Sequence, residues 1–363
     1  MIRAMSNHRT SPPRSLPTLG IIALLVASMV ACSEGDARSE KDVKHITKSN
    51  ATLDRTIQRN APRQLWARGG SAADSAFSYP VFVSAESSLV YVSDAGAQHL
   101  IALDAATGRT QWRTPASEDA PGALTHPGAI SIVPGGGVAA VDVVRRAVQF
   151  YEPSGRAGSA VQLFKLSPIQ SLCVLRDSAL LISGVPGPTP LARVDYASQL
   201  PTFVAMPWSD LNDAPRLRTQ TWLASDGHGA CATTLALGRG FAVYDGQRFG
   251  TPADYVEWFE LPAIVSKRAS SNGVTTVNES LDGKRTAALD AILRDTEVWI
   301  PFKGVSERAA HLIDVYDRGT GNYRHSFTLP DRITSAAANR TTLFILTVRE
   351  GYPALVAYDV ANR

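Results

Sequence analysis

The sequence predicts an all-β chain, a six-bladed β-propeller closed by an N-terminal strand that completes the last blade, and three observations predict it. A strand-turn-strand phrase recurs about every 40 to 50 residues, the spacing of propeller blades. One copy runs Leu89-Val90-Tyr91-Val92-Ser93-Asp94, a short loop, Leu100-Ile101-Ala102-Leu103-Asp104, the turn Ala105-Ala106-Thr107-Gly108 and then Thr110-Gln111-Trp112-Arg113. The last copy, Leu343-Phe344-Ile345-Leu346 followed by Ala354-Leu355-Val356-Ala357-Tyr358-Asp359, stops before its final strand, whereas a strand of that kind, Gln64-Leu65-Trp66-Ala67-Arg68, stands alone near the N-terminus. Lending the first strand to the last blade closes a ring and leaves no pair of free edges.

The N-terminal region separates from this pattern. Arg3, Arg9 and Arg14 precede a short apolar run over 19–31, too short to span a bilayer and placed as a secretory signal. The run ends Met29-Val30-Ala31-Cys32, which resembles the lipobox of bacterial lipoproteins with Met29 where Leu is usual. That resemblance implies a signal peptide over 1–31, a lipid on Cys32 and membrane attachment through it. Ser33 at the next position implies the outer membrane under the enteric sorting rule. Residues 32–60 are polar, with mixed charges and no apolar period, and read as a flexible tether to a propeller spanning 61–363.

Within the propeller the outer strands are the easiest to count, being short, amphipathic and often aromatic. They fall at 110–113, 160–165, 202–206, 264–268, 323–329 and 64–68. The third strands before them fall at 100–104, 147–151, 191–195, 255–261, 312–317 and 355–359, although 255–261 also fits a fourth strand. Alternation along the strands is loose, as expected where both faces of a sheet are covered. Segments 211–218 and 270–285 are longer polar insertions. Cys173 and Cys231 read as lying near the starts of inner strands in successive repeats; a disulfide and a pair of buried thiols both fit.

Phrases such as Val92-Ser93-Asp94 with Leu103-Asp104, Val141-Asp142 with Phe150-Tyr151, and Val298-Trp299-Ile300-Pro301 with Val315-Tyr316-Asp317 resemble the NHL-like six-bladed propellers of bacterial lipoproteins. The resemblance covers the span 61–363. It implies architecture rather than one activity, because such propellers bind, scaffold and catalyse.

The acids that close strands are assigned to turns. Asp94, Asp142 and Asp245 are read as ending second strands, and Asp104, Asp195, Asp317 and Asp359 as ending third strands, where a carboxylate replaces a ladder that has run out. A ligand site is expected instead where the loops entering inner strands meet those after second strands. Tyr79, His126, His228 and Arg332 are placed on the first set, and Arg145, Arg248, Lys303 and Arg349 on the second. The cations suit carboxylate or phosphate groups, although Asp245, Glu307 and Glu350 in the same loops offset them. If His126 and His228 faced each other they would supply two metal ligands, short of a complete set.

A formal net charge of +3 is too small to argue for a nucleic-acid partner. The chain has no Gly-x-Ser-x-Gly elbow, His-Glu-x-x-His, Walker loop or Cys-x-x-Cys. Ser78-Tyr79-Pro80 stands where the sugar-lactonase branch of six-bladed propellers carries Glu-Gly-Pro with a metal-binding Glu. The expectation is therefore a lipid-anchored binding or scaffold propeller for a peptide, glycan or protein partner, with no cofactor. Its alternative is a metal-dependent hydrolase or lyase at the channel mouth. A third possibility is an envelope structural part using its outer rim, with Trp208, Trp222 and Trp258 either exposed there or packed between blades.

Overall fold

The computed structural model describes residues 55–361, apart from 117–118, 164–165, 167–168, 177, 185–188, 212–218, 258–264, 272–273, 281–287 and 304–309. The expected signal segment, Cys32 and most of the tether lie outside the described residues, as do Trp258 and Glu307.

Six four-stranded antiparallel sheets form the blades. Blade one is β2 (Pro80–Ala85), β3 (Leu89–Asp94), β4 (His99–Asp104) and β5 (Thr110–Arg113). Blade two is β6 (Pro127–Ile132), β7 (Val138–Asp142), β8 (Ala147–Tyr151) and β9 (Ala157–Gln162), and blade three β10 (Ser171–Leu175), β11 (Ala179–Ser183), β12 (Leu191–Asp195) and β13 (Pro201–Val204). Blade four is β14 (Thr221–Ser225), β15 (Cys231–Leu235), β16 (Gly240–Tyr244) and β17 (Ala253–Asp254). A separate hairpin of β18 (Val265–Ser271) and β19 (Val274–Ser280) precedes blade five, which is β20 (Ile292–Leu293), β21 (Glu297–Phe302), β22 (Leu312–Asp317) and β23 (Tyr323–Thr328). Blade six is β24 (Ser335–Ala338), β25 (Thr342–Arg349), β26 (Tyr352–Asp359) and, from the other end of the chain, β1 (Arg63–Gly69).

The core follows from strands apolar on both faces. β7, β10, β11, β15 and β21 are buried along their whole length. The buried side chains gather into six clusters, one between each pair of neighbouring blades. A single blade would leave both faces wet, so the blades are stable only as a ring. Each inner strand touches the next around the axis, and β24 meets β2.

β1 pairs antiparallel with β26, from Arg63 opposite Asp359 to Gly69 opposite Ala354. Trp66 of β1 packs on Phe344 with ring centroids 5.8 Å apart, and its indole N–H donates to the Ala105 carbonyl of blade one at 3.1 Å. Gly108 makes room for that indole: it sits at φ +69, and a Cβ there would lie 2.7 Å from the Trp66 ring.

An inner strand has a sheet partner on one side only, so its axial N–H groups need others. Ser131 Oγ accepts from Val174 N–H at 3.1 Å, Ser171 Oγ from Leu223 N–H at 2.8 Å, and Asp290 from Ala336 N–H at 3.0 Å, each bond crossing to the next blade. Turns close as expected at Asp94, Asp142, Asp104 and Asp317, whose carboxylates accept backbone N–H groups just ahead. Asp94 and Asp142 also hold the loop entering their own blade, through Ser78, Tyr79 and Thr125.

Blade four departs from the expectation by one strand. Its inner strand is β14, so the expected inner strand at Cys231 is the second, and Asp245 follows the third. Residues 255–261 are not its third strand and 264–268 are not its outer one; the outer strand is the two-residue β17, and β18 pairs only with β19. The cause is length: two residues give no amphipathic signal, whereas the inserted hairpin does. Trp208 is packed between blades three and four, and the Trp222 indole donates to the Ala288 carbonyl, so both serve packing.

Cys173 of β10 and Cys231 of β15 form a disulfide joining blades three and four across 58 residues of sequence. Closing a loop of that length constrains the unfolded chain. Replacing both cysteines by alanine is expected to lower the unfolding free energy by about 2–4 kcal/mol in denaturant titrations. The variant's midpoint should no longer respond to reductant.

Candidate functional site

Every inner strand runs in the same sense, so loops entering inner strands and loops joining second to third strands share one face, the mouth. Loops joining first to second and third to fourth strands share the opposite face. Tyr79, His126 and Arg332 precede β2, β6 and β24, while Arg145 and Lys303 follow β7 and β21 and Arg349 ends β25, so these six share the mouth. His228 lies between β14 and β15, and Arg248 between β16 and β17, on the opposite face. The one-strand slip in blade four inverted both expectations. His126 and His228 therefore stand at opposite ends of the axis and do not form a metal pair, and no group of three or more metal-binding side chains occurs among the described residues.

The mouth cations are less available than their number suggests. Arg349 is bound through Nε to Asp331 Oδ1 at 2.8 Å and through Nη2 to Asp331 Oδ2 at 2.5 Å, with Gln64 Oε1 also at 2.8 Å. Tyr358 donates to the same carboxylate. Burial opposes the ionisation of Asp331, but hydrogen bonds from Arg349 and Tyr358 outweigh it and hold the carboxyl below its ordinary range. Arg145 donates to the Ala123 carbonyl at 2.5 Å and lies 3.7 Å from Asp142. The acids that neutralise these cations, Asp331 and Asp142, differ from those expected in the sequence. Arg332 is exposed, and Lys303 and His126 are half-buried.

The mouth also carries an apolar surface, of which the sequence pointed only to Tyr79. Tyr79, Val144, Val348 and Tyr352 are exposed there, four of the seven large hydrophobic side chains exposed among the described residues. Val348 and Tyr352 belong to β25 and β26, whose eight residues each exceed the five or six of the second and third strands elsewhere. Their extra length raises the turn at Arg349 and Tyr352 beyond the pairing with β24, which ends at Ser335 opposite Leu346.

Below the mouth the axis is nearly filled. A cavity of ≈ 50 Å³, lined by all six inner strands, contains Ser84, Ser131, Ser171, Ser225 and Asp290. That volume admits a few water-sized molecules, against the several hundred Å³ of ordinary substrate pockets. A peptide or sugar does not fit in it. Asp290, absent from the sequence expectations, is half-buried and lines this cavity. Burial pushes its carboxyl up to about 6, against hydrogen bonds from Ala336 N–H, Ser335 Oγ and Ala291 N–H.

Loops of the opposite face bind neighbouring blades to one another. Asn339 donates to the Ser87 carbonyl, Arg294 to that of Arg340 and Arg176 to that of His228, each across a blade boundary. Arg318 of blade five reaches Asp226 of blade four at 2.9 Å.

No protein-family model and no curated protein matches the chain. Among solved structures it is similar to a putative exported protein from Bacteroides fragilis, at 9% identity and a TM-score of 0.54 over 85% of this chain and 98% of that one. It is also similar to a member of the DUF4221 family from Bacteroides vulgatus, at 10% identity and TM-score 0.51 over 84% and 98%. The RRP9 WD40 repeats align at 12% identity and TM-score 0.50 over 83% and 99%. At these identities the likeness establishes the propeller fold, shared with bacterial propellers, and nothing finer.

Asp290 has a measurable consequence. Between its ordinary value of 3.8 and about 6 the folded state holds the proton more tightly than the unfolded state. Its contribution to stability therefore falls as pH rises through that window, and is constant above it. Thermal unfolding followed across this range should show that slope, and Asp290→Asn should flatten it.

Proposed function

We propose that this chain is a lipid-anchored propeller of the bacterial cell envelope, attached through Cys32 at the outer membrane, whose mouth rim captures a peptide, glycan or protein partner. The observation that carries the reading is the concentration of exposed apolar side chains, Tyr79, Val144, Val348 and Tyr352, on one face beside the exposed Arg332 and Arg145. Aromatic and arginine side chains dominate binding energy at protein interfaces. The axial cavity is too small for a substrate, which favours recognition over catalysis. The Cys173–Cys231 disulfide suits an oxidising compartment outside the cytoplasm. In this reading 1–31 is a cleaved lipoprotein signal peptide, and the propeller belongs with NHL-like lipoproteins.

Two experiments test it. Cells fed an alkyne-tagged fatty acid should label the wild-type chain and not Cys32→Ser, with labelled protein in the outer-membrane fraction. A photo-crosslinking amino acid at Tyr79 or Tyr352 should yield a discrete adduct in intact cells. The same group at Gln247, on the opposite face, should yield none. Adducts from Gln247 alone, or none from the mouth, would remove the binding assignment.

A further inference from the structure

Arg55 to Gln58, near the end of the expected tether, lie against blade five. Ile57 bridges Ser326 of β23 in parallel, Ser326 N–H donates to the Thr56 carbonyl at 2.9 Å, and Gln58 N–H donates to the Ser326 carbonyl at 2.8 Å. Thr56 N–H donates to Tyr323 Oη at 3.0 Å. This short segment thus adds to the outer edge of the blade. Its Arg55 side chain reaches inward past β23 to Asp314 on the third strand.

The surroundings of Arg55 fit a planar guanidinium. Nε donates to Asp314 Oδ1 at 3.0 Å and Nη2 to Oδ2 at 2.9 Å, a two-pronged bond, while Nη1 donates to Glu257. The guanidinium carbon lies 4.3 Å from the centroid of the Phe302 ring. Ser326 Oγ completes the carboxylate by donating to Asp314 Oδ1 at 2.6 Å. The Asp314 side chain has no exposure to solvent.

Comparison among the blades shows that Asp314 is not part of the propeller's ordinary construction. It stands three residues before the Asp that closes its third strand, and the same position in blades one, three and six holds Ile101, Ala192 and Val356, all buried and apolar. An ionised carboxylate buried in such a slot is strongly destabilising unless a cation meets it. Burial does push the Asp314 carboxyl upward, and Arg55 acts in the opposite direction.

We infer that blade five carries a guanidinium-binding socket, built from Asp314, Glu257, Phe302 and Ser326, which Arg55 fills in cis to strap the N-terminal stem to the propeller. The socket recognises the planar donor pattern rather than positive charge alone, and it accepts a small guanidinium from solution when Arg55 is shortened.

The full chain with Arg55→Ala tests this by thermal unfolding. Its Tm is expected to fall by roughly 5–10 °C. Millimolar methylguanidinium should restore part of the loss and methylammonium should not. Arg55→Lys, which keeps the charge without the fork, should also lose stability, and it carries the same comparison if Arg55→Ala does not fold. The double variant Arg55→Ala/Asp314→Leu should be more stable than Arg55→Ala and indifferent to both salts. An unchanged Tm in Arg55→Ala, or equal recovery with the two cations, would overturn the inference.

Discussion

Ring closure is the constraint on which the rest of this structure depends. Every blade is apolar on both faces, and every core cluster lies between two blades rather than inside one. The sixth blade supplies one side of two of these interfaces, to blade five and to blade one, so the ring closes only through it, and its outer strand comes from the opposite end of the chain. Pairing β1 with β26 joins residues almost 300 positions apart. Loop-closure cost grows only logarithmically with length, so the separation adds little once the other blades are in place. Trp66 then fixes β1 to its own blade through Phe344 and to blade one through the Ala105 carbonyl. The Ser131, Ser171 and Asp290 bridges around the axis, and the disulfide between blades three and four, reinforce a ring that closure already defines.

That constraint decides what is left over for recognition. The axis keeps only a small cavity because inner strands approach closely enough to bond one another, and loops of one face bond across blade boundaries. The mouth is different because β25 and β26 continue past the level of their inner strand and carry Val348 and Tyr352 into solvent. The cations once expected to define this mouth are partly structural: Arg349 supports its own loop through Asp331, and Arg145 supports the turn after β7.

Blades with full-length outer strands were legible in the sequence because four recurring strands and a closing Asp give each one a repeated signature. Blade four was not, because β17 has two residues and a hairpin with stronger strand character follows it. A strand miscount reverses the direction of every later strand in that blade, which is why His228 and Arg248 lie on the face opposite the expected one while Tyr79, His126 and Arg332 lie at the mouth. The disulfide could not be assigned for the same reason, since Cys231 opens a second strand and reaches blade three only through the geometry of the interface. Asp290 and Asp314 were missed because their meaning is positional. Asp314 does leave a trace in the sequence: aligned on the closing acid of each third strand, it is the one carboxylate among Ile101, Ala192 and Val356. Arg55 shares no sequence neighbourhood with it, so only the fold could pair them.

Hydrogen exchange of the intact chain, read by mass spectrometry on peptides covering β1 and β26, tests the closure most directly. The β1 amides that face β26 should exchange as slowly as those of β26 itself, and both should be released together as denaturant is raised. Fast exchange throughout Arg63–Gly69 while Tyr352–Asp359 stays protected would show that the ring stands without its N-terminal strand, contrary to this account.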